Sequence, residues 1–287
     1  MLTGKGMTEI NKTIISGGVI ITLLIIVAII APLISPSEPL AQNLSASLSS
    51  PGGSAFFGTD SLGRDIFSRV VYGSRISLTV GITVLTLTLF LGTFLGMLAG
   101  YFGGVLDSVL MRVSDVFMSF PPLVLAMIVM AFIGPGIANL VGVLVIIRWP
   151  QFARLVRGQV ISVKGMAYVD AARIAGTHPL KIVLKHILPN CFAPVITYGT
   201  MSLGAIIIDE TALSFLGLGI QPPAPSWGVM LADAKNYIAA APWLVIFPGL
   251  AMIVTVLGFN LLGDGLGYLL NPKQRERIEV THGNIKG

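Results

Sequence analysis

GMAYVDAARIAGTHPLKIVLKHILPN, residues 165–190, is a basic, amphipathic stretch set between apolar runs long enough to cross a bilayer. Tyr168, Ala171, Ala172 and Ala175 recur at i, i+3, i+4 and i+7, which puts a strip of small side chains on one helix face where another backbone can come close. Gly176 suits the left-handed residue that ends such a helix. Thr177 then caps a second helix, Pro179 fits its first turn, and Pro189 marks where its pattern stops, giving a helix of about Pro179 to Leu188. Leu180, Val183, Leu184, Ile187 and Leu188 form its apolar side. Lys181 and Lys185 sit four apart on the other, a like-charge pair that lipid phosphates or an acidic partner surface would relieve. The segment reads as a docking helix pair at a membrane surface.

Composition fixes the class around it. Hydrophobic residues make up 54% of the chain and charged residues 11%, less than half the ~25% share of a soluble domain. Mean hydropathy is +0.87. This is the profile of a polytopic, all-α membrane protein, and its net charge of +5 reads as cytoplasmic loops facing anionic lipid, with no nucleic-acid partner. The lone Cys191 reads as a small packing residue.

Six spans follow from the apolar runs. Residues 1–12, with Lys5 and Lys12, precede a first helix over 13–34 that is retained because no small-residue cleavage site follows it. Ile76 to Leu106 is the second run, with Gly92, Gly96 and Gly100 at the four-residue spacing that lets membrane helices approach closely. Asp107, Arg112 and Asp115 mark a short cytoplasmic turn. Val116 to Ile147, about 48 Å as one helix, overshoots the bilayer and is split by Gly134-Pro135-Gly136. The two resulting spans are 120–133 and 136–156, the second bringing Arg148, Arg154 and Arg157 to the cytoplasmic end. Ala193 to Leu216 is the fifth span and Trp243 to Leu262 the sixth, closed by Gly263-Asp264-Gly265.

The connection 35–75 is polar and carries Thr59 or Asp60 as the cap of an interfacial helix, with Asp60 and Arg64, then Asp65 and Arg69, four apart. Two readings of its arginines stand side by side: stems snorkelling from the interface, or contact with a substrate-delivery protein. Asp209 and Glu210 interrupt the fifth span and are the candidates for a polar translocation path; the other reading places them near the outer interface, solvated or paired with an arginine. Trp227 and Trp243 suit interfacial anchors.

With both termini and the 165–190 loop inside, every Lys and Arg except Arg64, Arg69, Arg75 and Lys235 falls on the cytoplasmic side, in accord with the positive-inside rule. The chain has no G-x-x-x-x-G-K-[ST] run and thus no visible phosphate-binding loop. No catalytic Ser/His/Asp or H-E-x-x-H set stands out, and His178, His186 and His282 lack metal-ligand spacing, so the chain is read as neither enzyme nor metal site.

Tyr168-Val-Asp-Ala-Ala-Arg-Ile-Ala-Gly176, followed by His186-Ile-Leu-Pro189-Asn190, resembles the EAA signature of ABC importer permeases in the dipeptide, oligopeptide and nickel family, C-type subunit. Asp170 stands where the signature has Glu. The run Gly58-Thr-Asp60-Ser-Leu-Gly-Arg64-Asp65-Ile-Phe-Ser-Arg69 and the stretches 210–219, 227–230 and 262–266 resemble the same family, with Gly267, Tyr268 and Asn271 departing from it near the end. The resemblance implies a type I (MetI-like) permease fold in a bacterial or archaeal cytoplasmic membrane. Together with the apolar runs it divides the chain into the N-terminus 1–12, the first span 13–34, an extracytoplasmic loop 35–75 with an interfacial helix, a five-helix core 76–265 with the coupling loop 165–190, and a cytoplasmic tail 266–287. It assigns ATPase coupling to Tyr168, Asp170, Ala171, Ala172, Gly176, Lys181, Lys185, His186 and Pro189. The implied partners are a homologous B-type permease, two ABC ATPase subunits or a homodimer of one, which carry ATP and Mg, and an extracytoplasmic solute-binding protein. Closure of the ATPases would move the 168–188 element as a lever, switching the bundle between inward-open and outward-open states.

The implied cargo is a dipeptide or oligopeptide, with nickel or a metal chelate as the alternative. A stand-alone ion-coupled secondary transporter is the competing class; it calls for ionisable groups within the spans and inverted repeats, and the chain offers few of the first and none of the second.

Overall fold

The computed structural model describes residues 4–53 and 55–270, with side chains from residue 12 onward. Its frame is a bundle of five long helices: α1 (Gly4–Ile34), α2 (Ile66–Phe102), α5 (Ile137–Lys164), α8 (Leu188–Phe215) and α10 (Trp243–Leu270). Between them lie α3 (Gly104–Met118), α4 (Pro122–Ile133), α6 (Ala167–Ile174), α7 (Pro179–Ile182) and α9 (Trp227–Ala234). Five segments are long and apolar enough to cross a membrane, and the bent pair α3–α4, turned by 88°, makes a sixth when counted as one span. The lysine- and arginine-bearing tail at 273–286 lies outside the described residues.

Neighbours in the bundle follow the order α1, α10, α8, α2, α5, α4. Lipid gives apolar side chains no reason to leave it, so contact is driven by close backbone approach. A Cβ at Gly92 would stand 2.5 Å from Phe152 Cβ, one at Gly96 2.4 Å from the Ala153 carbonyl oxygen, and one at Gly100 2.8 Å from Val160 Cβ. The four-residue glycine series is therefore the seam between α2 and α5.

Several boundaries differ from the sequence reading. The glycines at 263 and 265 do not end the last helix, which continues to Leu270; they are contact points, where a Cβ would stand 2.3 Å from Met201 Cγ of α8 and 2.1 Å from Ile14 Cγ1 of α1. Asp107 to Asp115 is no short turn but most of α3, tied to the C-terminal half of α5 by Arg157–Asp107 (2.5 Å) and Arg154–Asp115 (2.6 Å). Arg148, expected at the cytoplasmic end of its span, sits buried in mid-helix.

The separate interfacial helix expected near 60–75 is absent from the structure. Asp60 lies in a turn, its Oδ1 accepting from the backbone N–H of Leu62 and of Arg64, both at 2.9 Å. Asp65 is the true cap, accepting from the Ser68 N–H at 2.7 Å, and the helix it starts runs unbroken for 37 residues into the second span. Trp227 and Trp243 do not reach for headgroups either. Trp227 is fully buried with its Nε1–H donated to the Val70 carbonyl (3.1 Å), and Trp243 donates to the Thr59 carbonyl (3.2 Å), so each ties its own helix to the 59–70 segment.

Candidate functional site

The 165–190 helix pair is built as a plate with one face fastened down and the other open. Helix α6 ends in a Schellman motif: Thr177 N–H bonds the Ala172 carbonyl (3.1 Å), Gly176 N–H bonds that of Arg173 (3.0 Å), and Gly176 takes φ +73°. The next cap is His178 rather than Thr177, its Nδ1 accepting from Leu180 N–H at 3.3 Å.

Pro189 does not stop the second helix. From Pro179 the chain passes through α7 and a π turn at Val183–Ile187 directly into α8, one continuous helical run to Phe215. Leu188 N–H reaches back five residues to the Val183 carbonyl, and this wider turn makes room for a proline ring that lacks an N–H to give. The extra residue also changes which side chains face down. Ile182 and Ile187, five apart, lead into Cys191 and Val195 at four-residue steps, and these pack with Val156, Val160 and Val163 of α5 and Val169 of α6. The apolar side expected from an unbroken 3.6 period is accordingly redistributed. Ile187 is buried and Val183 and Leu188 are half-buried, but Leu180 and Leu184 are exposed beside Lys181 and Lys185.

On the open face Tyr168 is 43% exposed and Ile174 88%, with Ala171, Ala175 and Gly176 also exposed and Ala172 half-buried against the valine cluster. Tyr168 holds the two halves together: its Oη accepts from Asn190 Nδ2 (3.2 Å), and that same amide nitrogen donates to the His186 carbonyl (2.7 Å). Asn190 is a member of this set that the sequence reading does not single out; only its place after Pro189 hints at it. Asp170 accepts from Arg173 Nη1 at 2.9 Å on the surface. Lys164 Nζ donates to the Tyr101 carbonyl, tying the end of α5 to the end of α2 just before the pair begins.

Asp209 and Glu210 stand well away from this plate along α8 and hold separate partners. Asp209 Oδ2 accepts from Arg148 Nε (3.0 Å) and Nη2 (2.5 Å) of α5. Glu210 is fully buried, accepting from Ser214 Oγ (3.0 Å), whose oxygen in turn accepts from Ile220 N–H (3.0 Å). Glu210 thereby helps to shape the turn that leaves α8.

Arg64 and Arg69 neither snorkel nor offer themselves to an outside protein. They are 5% and 1% exposed and form a closed cluster with two carboxylates. Arg64 lies 2.6 Å from Asp60 and 3.2 Å from Asp233; Arg69 lies 3.7 and 3.6 Å from the same two. Two positive charges expected to break the positive-inside pattern are thus neutralised within the fold. Arg75 alone of the three is exposed, stacked over the Tyr72 ring.

Comparison with known proteins places this geometry. Residues 92–276 match the family model described as binding-protein-dependent transport system inner membrane component, and residues 11–51 match the N-terminal TM domain of oligopeptide transport permease C. The dipeptide transport system permease protein DppC of Alkalihalophilus pseudofirmus is 44% identical over 92% of this chain and 87% of its own. Its Escherichia coli K12 namesake is 44% identical over 93% and 91%, and the glutathione transport system permease protein GsiD of Shigella flexneri is 46% identical over 88% and 84%. A chain from a crystal structure of an amino acid ABC transporter with histidines superposes with a TM-score of 0.51 over 73% of this chain and 94% of that one, at 15% identity.

Proposed function

The chain belongs to the family of inner membrane components of binding-protein-dependent transport systems, and from that premise we propose that it is the permease subunit of an ATP-driven importer of short peptides. It is a multi-pass membrane protein. A homologous permease lines the pathway with it, two ATPase chains holding ATP and Mg seat against the 165–190 plate on the cytoplasmic side, and a solute-binding protein delivers cargo from outside. Both chain ends lie on the cytoplasmic side. The names of the relatives favour peptides over nickel or a chelate, since dipeptide, di/tripeptide and glutathione permeases all stand among them. Family membership also displaces the stand-alone secondary transporter.

One observation carries this reading. The plate buries Val169, Ile182, Ile187 and Cys191 against α5 while leaving Tyr168, Ala171, Ile174 and Leu180 open, and it continues without a joint into a membrane-crossing helix. A partner that moves the open face must therefore carry α8 with it, and α5 through the shared valine cluster. That is the two-state element through which nucleotide on other chains biases an inward-open and an outward-open bundle. An Ala171→Cys variant in the assembled importer, treated with a short bifunctional thiol reagent, should cross-link to an ATPase chain. Labelling by lipid-dissolved reagents alone, with no ATPase adduct, would overturn the assignment.

A further inference from the structure

At the end of α8 farthest from the plate, a cleft of about 460 Å³ opens between the 61–64 turn and the 215–237 segment. Its volume falls within the ~300–1,000 Å³ range of small-ligand pockets. Arg64, Asp233, Lys235 and Tyr237 bring polar groups to it, and Phe215 and Ile220 bring apolar surface.

Arg64 and Asp233 pair with each other on the cleft wall, yet that pairing engages one carboxylate oxygen alone and leaves Lys235 out. Arg64 and Arg69 both hold Asp233 through the same oxygen, Oδ2, which fixes the carboxylate and leaves Oδ1 without a partner among the described residues. Lys235 follows two positions later at the end of α9, a spacing at which side chains do not face one another, and it makes no ion pair among the described residues. Asn236, also on the cleft wall, is exposed, and its amide makes no hydrogen bond among the described residues. A fixed carboxylate with one open oxygen, a cation with no ion pair among the described residues and an apolar wall in one cavity suit a small solute that carries both charges.

We propose that this cleft is a binding site for a short peptide with free ends, its ammonium group on Asp233 Oδ1, its carboxylate on Lys235 Nζ, and an apolar side chain against Phe215 and Ile220. It gives released cargo a place on the permease itself before the bundle opens. The assignment rests on the peptide-import reading above, and the test keeps the two apart. The assembled importer in nanodiscs, without binding protein, is titrated with radiolabelled L-alanyl-L-alanine, with the N-acetylated and C-amidated forms as competitors. Wild type should bind saturably and discriminate against each blocked form by about tenfold, the size of one charge-assisted hydrogen bond. Lys235→Gln, a change at an exposed side chain outside the ion cluster, should erase discrimination against the amide and keep that against the N-acetyl form. Unaltered amide discrimination in that variant, or no saturable binding by an importer that does carry the peptide when supplied with its binding protein, removes the site. An importer that carries no peptide under any supply removes the functional reading as well.

Discussion

Arg148 of α5 donates twice to one oxygen of Asp209 on α8, Nε at 3.0 Å and Nη2 at 2.5 Å, and the side chains are only 9% and 15% exposed. Removing one member of such a pair strands the other in a poorly solvated place, at a cost of about 3–5 kcal/mol, whereas removing both leaves little to strand. Arg148→Met should therefore lower the heat resistance of the solubilised protein much more than Arg148→Met combined with Asp209→Leu. If the double variant melts as low as the sum of the single losses, the pair is not what holds α5 to α8.

The α2–α5 seam predicts opposite outcomes for two glycines. Gly96→Ala forces a methyl to within 2.4 Å of the Ala153 carbonyl oxygen and should cost about 1–3 kcal/mol. Gly142, inside α5 with no atom within 4 Å of where a methyl would stand, should gain about 0.5–1 kcal/mol from the same change, because alanine orders more cheaply in a helix. Thermal melts of the two variants in detergent decide it; equal shifts would count against close backbone approach as the source of the contact.

Gly176 has open space around it, so its constraint is conformational alone. At φ +73° an ordinary residue pays about 1–2 kcal/mol and a β-branched one more. Gly176→Val should leave membrane insertion intact and abolish transport, while Gly176→Asn, which tolerates the left-handed region, should retain much of it. Uptake normalised to membrane level on immunoblots separates these. A Val variant as active as wild type removes the Schellman turn from the coupling path.

What can be read from sequence are features decided locally. Gly134-Pro135-Gly136 breaks the helix where it stands, and Gly176 takes the left-handed turn its chemistry suits. The four-residue glycine series lies on a helix contact because that spacing repeats one face. Features decided by distant partners are not legible. Arg69 reads as the mark of an interfacial helix because its second partner, Asp233, belongs to another part of the chain, as it does for Arg64 across 169 positions. The π turn is hidden for a related reason: a proline after Leu188 signals a stop in isolation, and only the packing of Ile182 and Ile187 onto α5 favours one extra residue in the turn over a break. Arg148 reads as a helix-end residue because its counter-ion sits 61 positions later on another span.

The four-charge cluster also imposes an order on biosynthesis. Arg64 and Arg69 leave the ribosome long before Asp233 does, so during most of translation two guanidinium groups have only the Asp60 carboxylate for company in the cluster. The cluster can close over them only once α9 has been made and has packed back against the 60–69 segment. A chain cut short before that helix keeps one guanidinium of the pair without a carboxylate to match it.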